Sequence, residues 1–394
     1  MAEMTAAPLV ADAPAADPSA LLDAAVEVAA GLAAHADPHH RAGVFAPDNI
    51  VAIWRAGLGN LTLPVADGGR GADLRTTAHV VEILAGGDAS TALILVMHLL
   101  HLRALGDPRS PWPLHPRERV IAETRDAPSL INALRVESEL GTPARGGIPA
   151  TRARRVDRRG RPGWQLTGHK IYGTGSAGLR WMLVWPATDR DDPERQRVGY
   201  VVVPADSPGI TIRRIWDHLG MRASASNDVL FEDVWIPLDD TLNLQPPGSA
   251  QSGGSWLWST TLLLSVYNGV AKAGRDWLVR YLNERVPSNL GAPLATLPRF
   301  QTAIGEIESL LFVNDRLPES LSGDNPPASP SLAKLTVTAN VIKSLEIGLT
   351  LTGNPGLSFH HPLQRHYRDA LCSRIHTPQD DVILLNAGKT ALGI

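Results

Sequence analysis

The chain predicts an α+β protein built in three parts: a helical region, a β region and a second helical region. Three observations carry this. Apolar residues recur at helix spacing from about residue 19 to 126, the period falls to two from about 129 to 239, and helix spacing returns from about 252. The 394 residues suffice to bury about three-quarters of the unfolded surface, so a substantial core needs no staples.

Residues 1–18 are rich in Ala, Pro and Asp and read as a disordered tail. In the first helical domain, 19–126, Leu21, Leu22, Ala25, Val26, Val28, Ala29 and Leu32 fall at helix spacing behind Ser19, an expected cap. A helix from Pro47 stops at Gly57, a turn-rich linker covers Leu61 to Gly71, and helices follow over Leu74–Ala85 and Ser90–Leu105. The middle domain, 127–242, offers strands at Leu130–Glu137, Trp164–Tyr172, Trp181–Trp185, Val198–Pro204, Ile210–Ile215 and Val229–Trp235. With no helix between them, they predict an antiparallel barrel or sandwich. In 252–394 helices are expected over Trp256–Arg285, Arg299–Arg316 and Ser331–Leu351, with Pro362–Cys372 as the last, and Leu317–Pro330 as a surface loop.

Charge and composition exclude several functions. The net charge is −3, so the whole chain presents no field for nucleic acid or an anionic membrane. A single cysteine, Cys372, rules out an intramolecular disulfide and a Cys-based zinc site, and suits a cytoplasmic protein. The longest apolar run, Thr91 to Leu100, is about half of what a spanning helix needs.

Gly173 to Gly178 spell G-x-G-x-x-G, but Leu179–Trp185 after them reads as a strand, so a turn fits better than a dinucleotide site. Arg152, Arg154, Arg155, Arg158, Arg159 and Arg161 surround a hairpin tip at Asp157–Gly160; they form either a solvated tip or a loop that meets an anion. The His35, His39, His40 and His360, His361 clusters lack metal-ligand spacing, so no metal site is expected. His98, inside an apolar helix, is either a satisfied core residue or an acid, base or donor at a site, and His101 shares its face.

Taken in order, several segments resemble the acyl-CoA dehydrogenase superfamily of flavoproteins. Leu219-Gly220-Met221-Arg222-Ala223-Ser224 through Pro237 is similar to its L-G-x-R-x-S…F-x-D-V-x-V-P stretch. Gly168 to Gly175 is similar to G-x-K-x-W-I-T-N, and Val136 to Thr142 to T-E-P-x-x-G-S. Leu63 to Gly71 resembles V-P-E-x-x-G-G-x-G, and Arg365 to Asp369 resembles R-x-x-R-D. The resemblance spans about residues 20–394. It implies a middle antiparallel β-barrel, a C-terminal four-helix bundle, a homotetramer or homodimer, and FAD or FMN as cofactor. It assigns cofactor contacts to Val136, Gly141, Thr142, Tyr172, Gly173, Thr174, Gly175, Arg285 and Arg368. Tyr172 takes the place of an aromatic that packs on the ring, Val136 replaces a threonine, and Arg285 resembles an arginine that reaches the cofactor across a subunit interface.

One departure matters. The family glutamate that removes the substrate α-proton falls at Thr377 or, in other members, near Ser259, and neither residue accepts a proton at neutral pH. Asp380 and Asp381, in a turn, are the candidates for a displaced base. A glutamate-less branch, resembling dibenzothiophene monooxygenase, works with reduced flavin and O₂ and carries histidines instead. His98 and His376 occupy such places and are the candidate catalytic residues. The expectation is therefore a flavin-dependent monooxygenase acting on a small organic substrate, with a flavin reductase as supplier. The alternatives are an acyl-CoA dehydrogenase with a displaced base and a non-catalytic flavin-binding scaffold.

Overall fold

A computed structural model describes residues 17–107, 109–110, 112–140, 147–188, 195–249, 256–321 and 329–394. Among the described residues five helices come first: α1 (Pro18–Ala42), α2 (Pro47–Arg55), α3 (Leu74–Gly87), α4 (Ala89–Gly106) and α5 (Leu114–Asp126). Asp17, not Ser19, caps α1: its carboxylate accepts the Ser19 N–H at 3.1 Å. Asp73 and Asp88 cap α3 and α4 in the same way. Helix α5 was not legible beforehand, because it is mostly polar with few apolar positions to mark a face. Helices α1 and α4 have the length and apolarity of a membrane-spanning segment, but about two-thirds of α4's most apolar stretch is buried in the protein core.

The chain then forms nine strands among the described residues: β1 (Leu130–Leu134), β2 (Arg152–Arg158), β3 (Arg161–Gly173), β4 (Leu179–Val184), β5 (Ala187–Thr188), β6 (Val198–Pro204), β7 (Ile210–Arg213), β8 (Asn227–Pro237) and β9 (Thr241–Gln245). The sheet runs β1-β4-β6-β5-β2-β3-β8-β7, with β9 on β6. The expected barrel or sandwich is corrected in one respect, since the sheet is not wholly antiparallel. The path has two ends, and β1·β4 and β2·β5 pair in parallel. The β2–β3 hairpin lies in the long crossover that a parallel β1·β4 pair requires, with no helix among its described residues. The tip of that hairpin is the arginine-rich turn, where Gly160 N–H donates to Asp157 Oδ1 at 2.7 Å.

Among the described residues six helices close the chain: α6 (Trp256–Glu284), α7 (Pro298–Leu321), α8 (Pro330–Thr352), α9 (Asn354–Leu357), α10 (Leu363–Leu371) and α11 (Asp380–Leu392). α7 runs past the expected loop start, carrying Pro318 within it. α11 corrects the view that Asp380 and Asp381 sit in a turn; they form the first turn of a helix, where carboxylates favour the helix dipole.

One core joins α1, α3 and α4 to α6, α7, α8 and α10, and a second fills the sheet. Arg365 pairs with Asp37 of α1, and Asp369 Oδ1 accepts the Met221 N–H at 2.6 Å. The Arg-x-x-Arg-Asp segment thus stitches the last helices to both the first helix and the loop before β8.

Candidate active site

A shallow recess, with enclosed room for about one water molecule, opens in the C-terminal helices. Thr260, Leu263, Leu264 and Tyr267 of α6 line one side, Lys334 and Thr338 of α8 another, and Ser373, His376 and Thr377 the third. The two segments where a family glutamate was sought, around Ser259 and at Thr377, meet in this one place. Its described lining holds no carboxylate. Asp380 stands nearby, with Oδ1 3.3 Å from Lys334 Nζ, which also donates to Pro378 O at 2.9 Å.

His376 is the titratable ring of the recess. Its Nε2 lies 2.6 Å from the Tyr267 hydroxyl. Burial, helped by the Lys334 cation, pulls its pKa down to about 4, so it is neutral at pH 7. Burial raises the Tyr267 phenol well above its ordinary value.

His98 is elsewhere. It is wholly buried on α4, with Nε2 3.1 Å from Gly59 O and Nδ1 accepting the Ile131 N–H at 3.2 Å. Burial drives its pKa to about 3. Both nitrogens are committed to backbone, so the expected catalytic His98 is corrected to a core histidine that joins α4, the 57–64 linker and β1. A pair of histidines facing one ring is not formed.

A second feature lies at the end of β3. Tyr172 adopts a left-handed backbone (φ 56°) and stands 54% exposed. Its ring meets the edges of Trp216 and His218, which stack at 3.6 Å. Behind it, hydroxyls form a file: Thr174 Oγ1 to Ser226 Oγ at 3.1 Å, and Ser226 Oγ to Ser224 Oγ at 2.8 Å. Val136 joins this edge through its carbonyl, which accepts the Ile171 N–H at 2.9 Å. A Cβ at Gly173 would crowd Asn227 O at 3.1 Å. Gly175 turns at φ 76°. The N–H groups of Thr174, Gly175 and Ser176 donate to Tyr172 O, Ser224 O and Gly173 O, so the strand end offers hydroxyls and an aromatic wall rather than free backbone donors.

The structure therefore gathers Val136, Tyr172, Gly173, Thr174 and Gly175, and adds Trp216, His218, Ser224 and Ser226, which sequence reading did not single out. Trp216 and His218 carried no signal beyond ring chemistry; Ser224 and Ser226 lay in a quoted motif. Gly141 and Thr142 lie outside the described residues. Arg285 is exposed just past the end of α6, 18 residues and about 27 Å of helix rise beyond Tyr267. Arg368 donates to Leu219 O at 2.9 Å and to Gln364, so its guanidinium ties α10 to the loop before β8.

Of these hydroxyls Thr174 is partly exposed, whereas Ser226 is 4% and Ser224 0% exposed, so the edge presents an aromatic wall and one accessible hydroxyl.

Comparison with known proteins points the same way. Residues 17–106 match the acyl-CoA dehydrogenase N-terminal domain and residues 137–234 the acyl-CoA dehydrogenase middle domain. The chain is 31% identical over 352 residues to the putative acyl-CoA dehydrogenase YdbM of Bacillus subtilis, covering 87% of this chain and 88% of that protein. It is 28% identical to the L-evernosamine nitrososynthase of a Micromonospora species, covering 86% and 81%. Among solved structures, KijD3 in complex with FMN and dTDP-3-amino-2,3,6-trideoxy-4-keto-3-methyl-D-glucose superposes with a TM-score of 0.80 at 26% identity, over 98% of this chain and 95% of that one.

Proposed function

This chain belongs to the acyl-CoA dehydrogenase family of flavin oxidoreductases, and we propose that within it the protein works as a flavin-dependent monooxygenase on a small organic substrate. The single observation that carries this reading is the recess lining: both places where the family positions its glutamate converge there, and neither bears an acid. Without a carboxylate base the weakly acidic α-proton of an acyl thioester stays in place. Asp380, the displaced candidate, is held by Lys334 at the head of α11. Similarity to a nitrososynthase and to an FMN-bound amino-sugar complex supports the same choice.

In this reading Tyr172 and Trp216 would hold the FMN or FAD ring, Thr174, backed by Ser226, would offer it a hydroxyl, and Val136, Gly173 and Gly175 would shape the edge. When bound and reduced, the flavin supplies two electrons, so that one atom of O₂ enters the substrate and the other leaves as water. The chain's own task is to orient the substrate, exclude bulk water and hold a proton at the right atom. Leu263 and Leu264 make the recess partly apolar, and His376, neutral at pH 7, offers the substrate a hydrogen bond without introducing a charge.

The test supplies chemically reduced FMN and O₂ with a panel of primary amines and sulfides, and follows product mass. A gain of one oxygen atom is expected, lost in His376→Ala while FMN binding persists. Anaerobic bleaching of bound flavin by acyl-CoA thioesters, with no oxygenated product, overturns the proposal.

A further inference from the structure

The Tyr267–His376 pair is built more tightly than a recess wall requires. Tyr267 lies in the middle of α6 and is 2% exposed, so water does not reach its hydroxyl freely. The two rings are 5.6 Å apart and tilted by 48°, and the hydroxyl meets Nε2 at 2.6 Å. Among the described residues His376 is the only partner of that hydroxyl, and His376 Nδ1 has none.

We infer that Tyr267 is a positioning residue: its phenol donates to His376 Nε2, fixes the imidazole as the Nδ1–H tautomer, and so makes Nδ1–H the donor that the ring offers to an oxygen acceptor bound in the recess. This rests on the reading of His376 given above. The opposite arrangement, with Nε2–H donating to the phenol oxygen, would leave the phenol hydrogen unpaired in the interior, and a buried unpaired donor is costly. The need of the phenol therefore decides the tautomer of the histidine.

The surrounding charges leave this a neutral pair. On the histidine side Lys334 faces the ring and disfavours a second cation, while its ammonium is turned to Pro378 O and Asp380 Oδ1. On the tyrosine side burial, helped by the Asp369 carboxylate, keeps the phenol protonated. An imidazole that needs no charge can donate from Nδ1 across the neutral pH range.

The tautomer is read by nitrogen NMR on histidine-labelled apoprotein, with His376→Gln assigning the signal. The wild type is expected to show Nδ1–H and no titration above about pH 5. Tyr267→Phe should give a tautomer mixture, move the titration upward by about one pH unit, and lower kcat about tenfold with FMN affinity unchanged. A wild-type Nε2–H tautomer, a tautomer indifferent to Tyr267→Phe, or full turnover in that variant overturns the inference. Should Tyr267→Phe not fold, incorporation of 3-fluorotyrosine keeps the shape and strengthens the donor; the His376 titration should fall, and an unmoved titration overturns the inference equally. Oxygenation that survives in His376→Gln sinks the function proposed for the recess but leaves the tautomer result standing, so the two failures are distinguishable.

Discussion

His98 Nδ1 accepts the backbone N–H of Ile131 at 3.2 Å, while its other nitrogen meets Gly59 O, so one ring spans three segments of the chain. Trp54 packs on it with ring centroids 5.0 Å apart. His98→Ala would leave two buried backbone groups without partners and a void beside Trp54. We expect a stability loss of about 3–5 kcal/mol, read from urea melts. An unchanged melting midpoint would show that neither contact matters.

His98 and His366 are both buried, and burial takes each pKa down to about 3. In the unfolded chain a histidine titrates near 6.5. As pH falls below that value, the unfolded state gains protons that the native state does not, so stability drops. Stability is therefore fully present above about pH 6.5 and declines from there towards pH 3. Denaturant midpoints at pH 7.5 and pH 5 check the sign, and His366→Gln should flatten the slope.

Lys170 Nζ sits 2.6 Å from Glu137 Oε1, with no exposure of the ammonium side chain, and also donates to Trp185 O. Burial lowers the Lys170 pKa to about 8 against the pull of Glu137. The Glu137 carboxylate also accepts from Ala150 N and from the Thr151 hydroxyl. Lys170→Met strands that carboxylate inside the sheet, and a loss of about 3–5 kcal/mol is expected. Thermal unfolding measures it; adding Glu137→Gln should recover part of the loss.

Ser226 is the middle hydroxyl between Thr174 and Ser224. Ser226→Ala breaks the file and should weaken FMN binding about tenfold, a change of about 1.4 kcal/mol. Quenching of FMN fluorescence on titration is the measure. Binding as tight as wild type would remove the hydroxyl file from the cofactor site.

The helix and strand periods were legible because burial of one face writes itself into the sequence. Leu21, Ala25, Ala29 and Leu32 all point into the core, as their spacing requires. Helices α5 and α11 were missed because α5 is mostly polar, with a narrow buried side of Pro116, Val120, Ile121 and Thr124, and α11 buries only Ile383 among its described residues. The parallel pairing of β1 with β4 was also hidden, since residue patterns report which face is buried and not which strand lies alongside.

By itself, the sequence determined the order of helical and β regions, the turn at Gly173–Gly178, and the lack of an acid at Thr377 and around Ser259. Those are local properties, set by side-chain period, glycine freedom and residue identity. Only the tertiary structure decided between two histidines that look alike in the chain. His98 is spent on backbone partners, while His376 lines a recess, because a ring nitrogen's role depends on which distant groups folding brings within hydrogen-bond reach, and Gly59, Ile131 and Tyr267 are all far from their partners in sequence.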